Sequence, residues 1–133
     1  MNSYPRREFL LRALAACGTP FLMPLASVEG LQKPQAGTAA AGYFGGRTDA
    51  ARAIGEAYVR QLGLDTSAES IHKAALGALK VIEGASSQQN AISALGIAVR
   101  RDFQQGRSVQ LEGWIVSRTE AELCALTLLP ATN

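Results

Sequence analysis

Three glycines, Gly63, Gly84 and Gly106, each close a stretch in which apolar residues recur every three or four positions. This punctuation restricts the chain to a set of short helices. The first stretch opens at Thr48, a residue type suited to a helix N-cap, and aligns Ala51, Ile54, Tyr58 and Leu62 on one face. The second opens near Thr66 or Ser67, with Glu69 in its first turn, and carries Ile71, Ala75, Ala78, Leu79 and Ile82. The third follows Ser86-Ser87 and presents Ile92, Leu95, Val99 and Phe103.

After Gly106 the period changes. Ser108 to Glu112 alternates, Gly113 interrupts, and Trp114-Ile115-Val116 is aromatic and β-branched, the pattern of two short strands. Ser117-Arg118-Thr119-Glu120 then spells a capping box for a fourth helix running to about Leu129, with Leu123, Cys124, Leu128 and Ala121 facing inward. The expectation is a mainly α domain over residues 42–133, of about four helices with a β-hairpin before the last. Ahead of it, Leu31 to Gly46 is rich in Gly, Ala, Pro and Gln and reads as a linker.

Residues 1–41 carry a different message. Arg6 and Arg7 are adjacent, Phe9 and Leu10 follow, and no further charge appears between Arg12 and Glu29. The pattern resembles a twin-arginine translocation (Tat) signal, with Arg6, Arg7, Phe9 and Leu10 on the matching places, Pro5 where that signal has Ser or Thr, and Leu11 where it has Lys. The resemblance implies export to the periplasm through the Tat translocase, with membrane contact only through this segment. The run from Ala13 to Val28 holds Thr19, Pro20 and Pro24, which suits a removable signal better than a membrane span of about 20 apolar residues. Cleavage is expected between Ser27 and Gly42, where Thr38-Ala39-Ala40 and Ala39-Ala40-Ala41 fit a small-x-small site well and Leu25-Ala26-Ser27 fits poorly. Leu14-Ala15-Ala16-Cys17 matches a lipobox, which would make Cys17 a lipidated first residue, but too few apolar residues separate it from Arg12.

The net charge of +2 belongs to this leader. From Gly42 onward basic and acidic residues balance, so the domain has no overall positive field for a phosphate backbone, and nucleic acid is not an expected partner. His72 is the only histidine, and no metal-ligand or catalytic set can be assembled around it. Cys124, between Leu123 and Ala125, reads as a small buried hydrophobe. Glu120 and Glu122 point to different faces of one helix, with Glu120 already used by the cap, so no facing carboxylate pair is proposed. The glycines lack phosphate-loop spacing, and no cofactor is implied.

The most distinctive stretch is Asp102 to Glu120, which gathers the one tryptophan, several charges and two glycines. In one reading Trp114 fills a small core. In the other, Arg107, Trp114 and Arg118 form a docking patch, being of the residue types that most often dominate protein interfaces. A twin-arginine leader on a small helical domain is similar to the small exported subunits of periplasmic flavin dehydrogenases of the sorbitol and gluconate type. That likeness implies a non-catalytic accessory subunit that binds and co-exports a larger redox enzyme. The alternative is an independent periplasmic enzyme or ligand-binding domain that uses Cys124 or His72.

Overall fold

The computed structural model describes residues 33–130. Among them six helices and one antiparallel hairpin succeed one another: α1 (Ala36–Tyr43), α2 (Thr48–Gln61), α3 (Ala68–Ala74), α4 (Leu76–Glu83), α5 (Gln88–Gln104), β1 (Ser108–Leu111), β2 (Trp114–Ser117) and α6 (Arg118–Leu126). The mainly helical class, with a hairpin ahead of the last helix, is the one the periodicity implies. Arg6, Arg7, Phe9, Leu10 and Cys17 lie outside the described residues.

Helix α6 occupies the middle of the fold and touches every other helix and both strands. Its six consecutive residues Ala121 to Leu126 are all buried, Glu122 included. A helix enclosed in this way must satisfy its end groups within the protein. The capping box does so at one end: Ser117 Oγ accepts from the Glu120 amide at 2.9 Å, and Glu120 Oε2 accepts from the Ser117 amide at 3.0 Å. At the other end the Thr127 hydroxyl donates to the Cys124 carbonyl at 2.6 Å.

The largest contact of α6 is with α2. Ala51, Gly55, Tyr58 and Val59 form the buried stripe of α2, and Gly55 is the point of closest approach. A Cβ there would overlap the Cys124 carbonyl and come within 2.9 Å of the Ala125 amide nitrogen. The two backbones pass with only a hydrogen atom between them, so residue type at Gly55 sets the spacing of the whole bundle. Around this seam Ile71, Ile82, Leu95, Leu111, Leu123 and Leu126 are almost entirely removed from water.

Several expectations change in the structure. Thr48 begins α2 but does not cap it; Arg47 takes the cap position, without a side-chain bond. Leu62 and Phe103, assigned to inward faces, are 47% and 50% exposed: Leu62 lies one residue past the end of α2, and at the end of α5 the neighbouring Asp102 takes the inward place. The expected second helix is two: Ala75 leaves the helical region at φ −111 and ψ 23, and α4 starts afresh at Leu76. The break coincides with a tertiary bond, since the Ala78 amide donates to the Glu122 carboxylate at 2.6 Å rather than to a carbonyl of the preceding turn. The fourth helix stops at Leu126, short of Leu129, where Thr127 turns back on Cys124.

The expected linker is also structured in part. Its alanines favour a helix intrinsically, and α1 places Ala39 and Ala40 in the core at 0% exposure against α5 and α6. Pro34 is buried as well. The packed unit therefore begins upstream of Gly42, and of residues 38–41 Ala39 and Ala40 are interior, while Thr38 is exposed and Ala41 half-buried.

The hairpin pairs Ser108 with Ser117 and Leu111 with Trp114. Its two-residue turn has positive φ at both Glu112 (50°) and Gly113 (82°), as the twist of the flanking strands requires. Val109, Leu111, Trp114 and Val116 share the face turned to the helices, while Ile115 lies on the opposite face.

Two glycine variants separate close approach from flexibility. Gly55→Ala is expected to cost about 2 kcal/mol or more by forcing α2 from α6. Gly96→Ala, inside α5 with open space around its Cβ position, is expected to stabilise by about 0.5–1 kcal/mol. Urea unfolding of the pair would test this, and equal effects would contradict the packing described.

Candidate functional site

Two surfaces carry chemistry, and the hairpin is common to both. Its closed end bears Trp114, 69% exposed, and Ile115, 67% exposed. Trp114 stands on the inward face yet overhangs the edge of the core, so it does not fill a small interior as one reading of the sequence expected. Leu111, its cross-strand partner, takes that place at 2% exposure. The turn lies over the end of α2, where Arg60 Nη1 approaches Glu112 Oε1 at 4.0 Å. Both of those side chains are well exposed, so the pair positions little and stabilises little.

The open end of the hairpin holds the two arginines. Ser108 and Ser117 are paired, so Arg107 and Arg118 are brought side by side just beyond them, and the Arg118 amide donates to the Arg107 carbonyl at 3.0 Å. The structure thus joins Arg107 to Arg118 and separates both from Trp114 by the length of the strands. The arginines border a cleft of about 440 Å³ between α3, α4, α5 and the start of α6.

Two buried acids form the inner wall of this cleft and share one bonding pattern. Asp102, 4% exposed, accepts from the Thr119 amide on Oδ2 at 2.7 Å and from Arg107 Nε on Oδ1 at 3.0 Å. Glu122, also 4% exposed, accepts from the Ala78 amide on Oε2 at 2.6 Å and from Arg118 Nε on Oε1 at 3.3 Å. Each carboxylate therefore ties a backbone amide in the first turn of a helix to one guanidinium, and the two together tie α4, α5 and α6. No buried side-chain nitrogen or oxygen among the described residues lacks a partner.

The two acids titrate in opposite directions. Burial pushes the Asp102 carboxyl up, but the Thr119 and Arg107 bonds outweigh it and hold the group below its ordinary value. For Glu122 burial dominates; the Ala78 amide and Arg118 offset it only in part, and the carboxyl is raised. Tyr58, buried against the same group, is raised by burial and then by the Glu122 charge, with Arg118 opposing.

Neither acid stood out in the sequence. Asp102 falls at the end of the α5 stripe, where a polar residue resembles a helix end, and Glu122 was read only as lying on a different helix face from Glu120. The available signal was an acid within a run of small and apolar residues, Ala121 to Leu126, that is apolar on every other side.

The two residues of the alternative reading lie apart. His72 is exposed on α3, with Nδ1 2.6 Å from the Ala68 carbonyl oxygen. Cys124 is buried in α6, and its thiol is pushed up to about 12 by burial and the nearby Glu120 charge. Among the described residues no group of three His, Cys, Asp or Glu is placed to hold a metal ion, and no helix is long and apolar enough to cross a membrane. Comparison with protein-family models, with curated proteins and with solved structures finds no match.

Cys124 is expected to resist a thiol reagent in the native protein and to react at the rate of a free thiol only in denaturant; rapid native labelling would contradict its enclosure. The Glu122 proton is held more tightly in the folded protein than in the unfolded chain. That group's contribution to stability therefore falls as pH rises above its ordinary value of 4.5. Asp102 acts in the opposite sense, its contribution being lost as pH falls below 3.8. Urea titrations of Glu122→Gln and of the unaltered protein between about pH 4.5 and about pH 7 are expected to show the unaltered protein losing ground to the variant as pH rises. A pH-independent difference would contradict the raised carboxyl.

Proposed function

We propose that this chain is an exported, non-catalytic accessory subunit that docks on a larger periplasmic enzyme, of the redox type its leader and size suggest. The observation that carries the reading is the hairpin tip: a tryptophan held mostly in solvent on a turn of fixed geometry. A large amphipathic ring presented on a rigid element loses little entropy on binding, which is why such residues serve as interface anchors. Ile115 and Leu62 add exposed apolar surface on either side of the turn and at the end of α2.

The arginines take a different part in this reading from the one the sequence suggested. Arg107 and Arg118 engage Asp102 and Glu122 in the cleft, so the docking surface is centred on Trp114 alone. The burial of Pro34, Ala39 and Ala40 also bears on processing. A cut at residues 38–41 would remove half of α1 from the core, whereas a cut after Leu25-Ala26-Ser27 leaves the packed unit whole. The upstream site is accordingly the one that suits an exported, folded product.

Tagged protein recovered from an osmotic-shock fraction tests the reading in two arms. Replacing Arg6 and Arg7 by Lys is expected to leave the protein in the cytoplasm. Trp114→Ala, at a position this exposed, is expected to change stability by less than about 0.5 kcal/mol while abolishing co-purification of the partner. Unimpaired export of the double Lys variant, or a partner retained in full by Trp114→Ala, would contradict the proposal.

A further inference from the structure

The cleft bordered by Arg107 and Arg118 concentrates positive charge in a domain that is nearly neutral as a whole. Five basic side chains line it: Lys73 on α3, Lys80 on α4, Arg101 on α5, Arg107 in the loop before β1 and Arg118 at the start of α6. These are half of all the lysines and arginines between Lys33 and Pro130. Only Asp102 and Glu122 oppose them, and the remainder of the described surface carries more acids than bases.

The two acids do not neutralise the whole group. Both oxygens of each carboxylate are engaged, one by a helix amide and one by an arginine Nε. Lys73, Lys80 and Arg101 form no ion pair with any described residue. Three elements thus deliver three uncompensated cations to the rim of a concavity whose inner wall is already fixed. Like charges gathered without counterions repel one another, and a bound anion removes that repulsion.

We propose that this cleft is a binding site for a small molecule bearing a diphosphate, or two phosphate groups, gripped by Lys73, Lys80 and Arg101. Its volume lies in the range of small-ligand pockets, about 300–1,000 Å³. Three spread cations match an anion with several oxygens and more than one negative charge better than a single carboxylate. A long polyanion is disfavoured, because the basic surface is confined to the cleft and ends in a net acidic exterior. The site is distinct from the hairpin tip, so it stands or falls independently of the docking reading.

Titration calorimetry of the full chain with inorganic pyrophosphate at low salt is expected to give saturable one-site binding with a Kd on the order of 0.1 mM, weakened several-fold at roughly 0.15 M salt. Lys80→Ala combined with Arg101→Ala removes two exposed side chains that bond to no described residue, and is expected to weaken binding at least about tenfold without lowering the melting temperature. Arg52→Ala, which deletes the same kind of charge outside the cleft, is expected to leave affinity unchanged. Three results would overturn the site: no saturation, equal weakening by Arg52→Ala, or citrate binding as tightly as pyrophosphate.

Discussion

Everything in this fold depends on placing the last six residues of a nine-residue helix, Ala121 to Leu126, where water cannot reach them. Short helices are marginal on their own, and a buried one also brings polar termini into the interior. The chain meets both demands with neighbours in sequence and neighbours in space. Ser117 and Glu120 close the N-terminal end from within the segment, Thr127 closes the other, and Gly55 lets a second backbone lie directly on the helix. The aliphatic core then packs around a helix whose ends are already satisfied.

The two buried acids follow from the same constraint. Neither is a conventional surface ion pair, since each carboxylate bonds first to a main-chain amide belonging to a different helix. For Glu122 this bond reaches across 44 positions of sequence and supplies the acceptor that α4 would otherwise seek in α3. The break at Ala75 is thus a tertiary effect: the helix yields where a stronger partner is offered. The partner arginines are more than half exposed or nearly so, and their contribution is correspondingly smaller than that of the amides.

What was legible in the residues and what was not divide along this line. Helix stops, the hairpin and the capping box at Ser117 depend on bonds between residues fewer than ten positions apart, and all three are visible in the spelling of the chain. Leu62 and Phe103 continue a helical stripe yet face solvent, because a stripe states neither where the helix ends nor that the polar neighbour Asp102 takes the inward place. The α1 alanines were invisible for a related reason: with almost no polar residues among them there is no contrast from which to read a buried side. Gly55 and Gly77 look like weak points in helices until their neighbours are known, and each turns out to make room for α6, the first for its backbone and the second for the Glu122 carboxylate. The basic cleft escaped notice because it assembles from five elements, and a balance of charge over the whole chain averages it away.

The central helix is also the last of the described elements in chain order, and this bears on how the protein acquires its shape. During synthesis α1, α4 and α5 can already pack on one another, but the inward face of α2 emerges before the helix that supplies its largest contact. Completion of the core needs residues 118–126, whose contacts with α1 to α4 are distant in sequence. A ribosome that stalls before the hairpin would leave a sticky, unfinished intermediate, and protection of that intermediate is a requirement the architecture imposes on any cell that produces it.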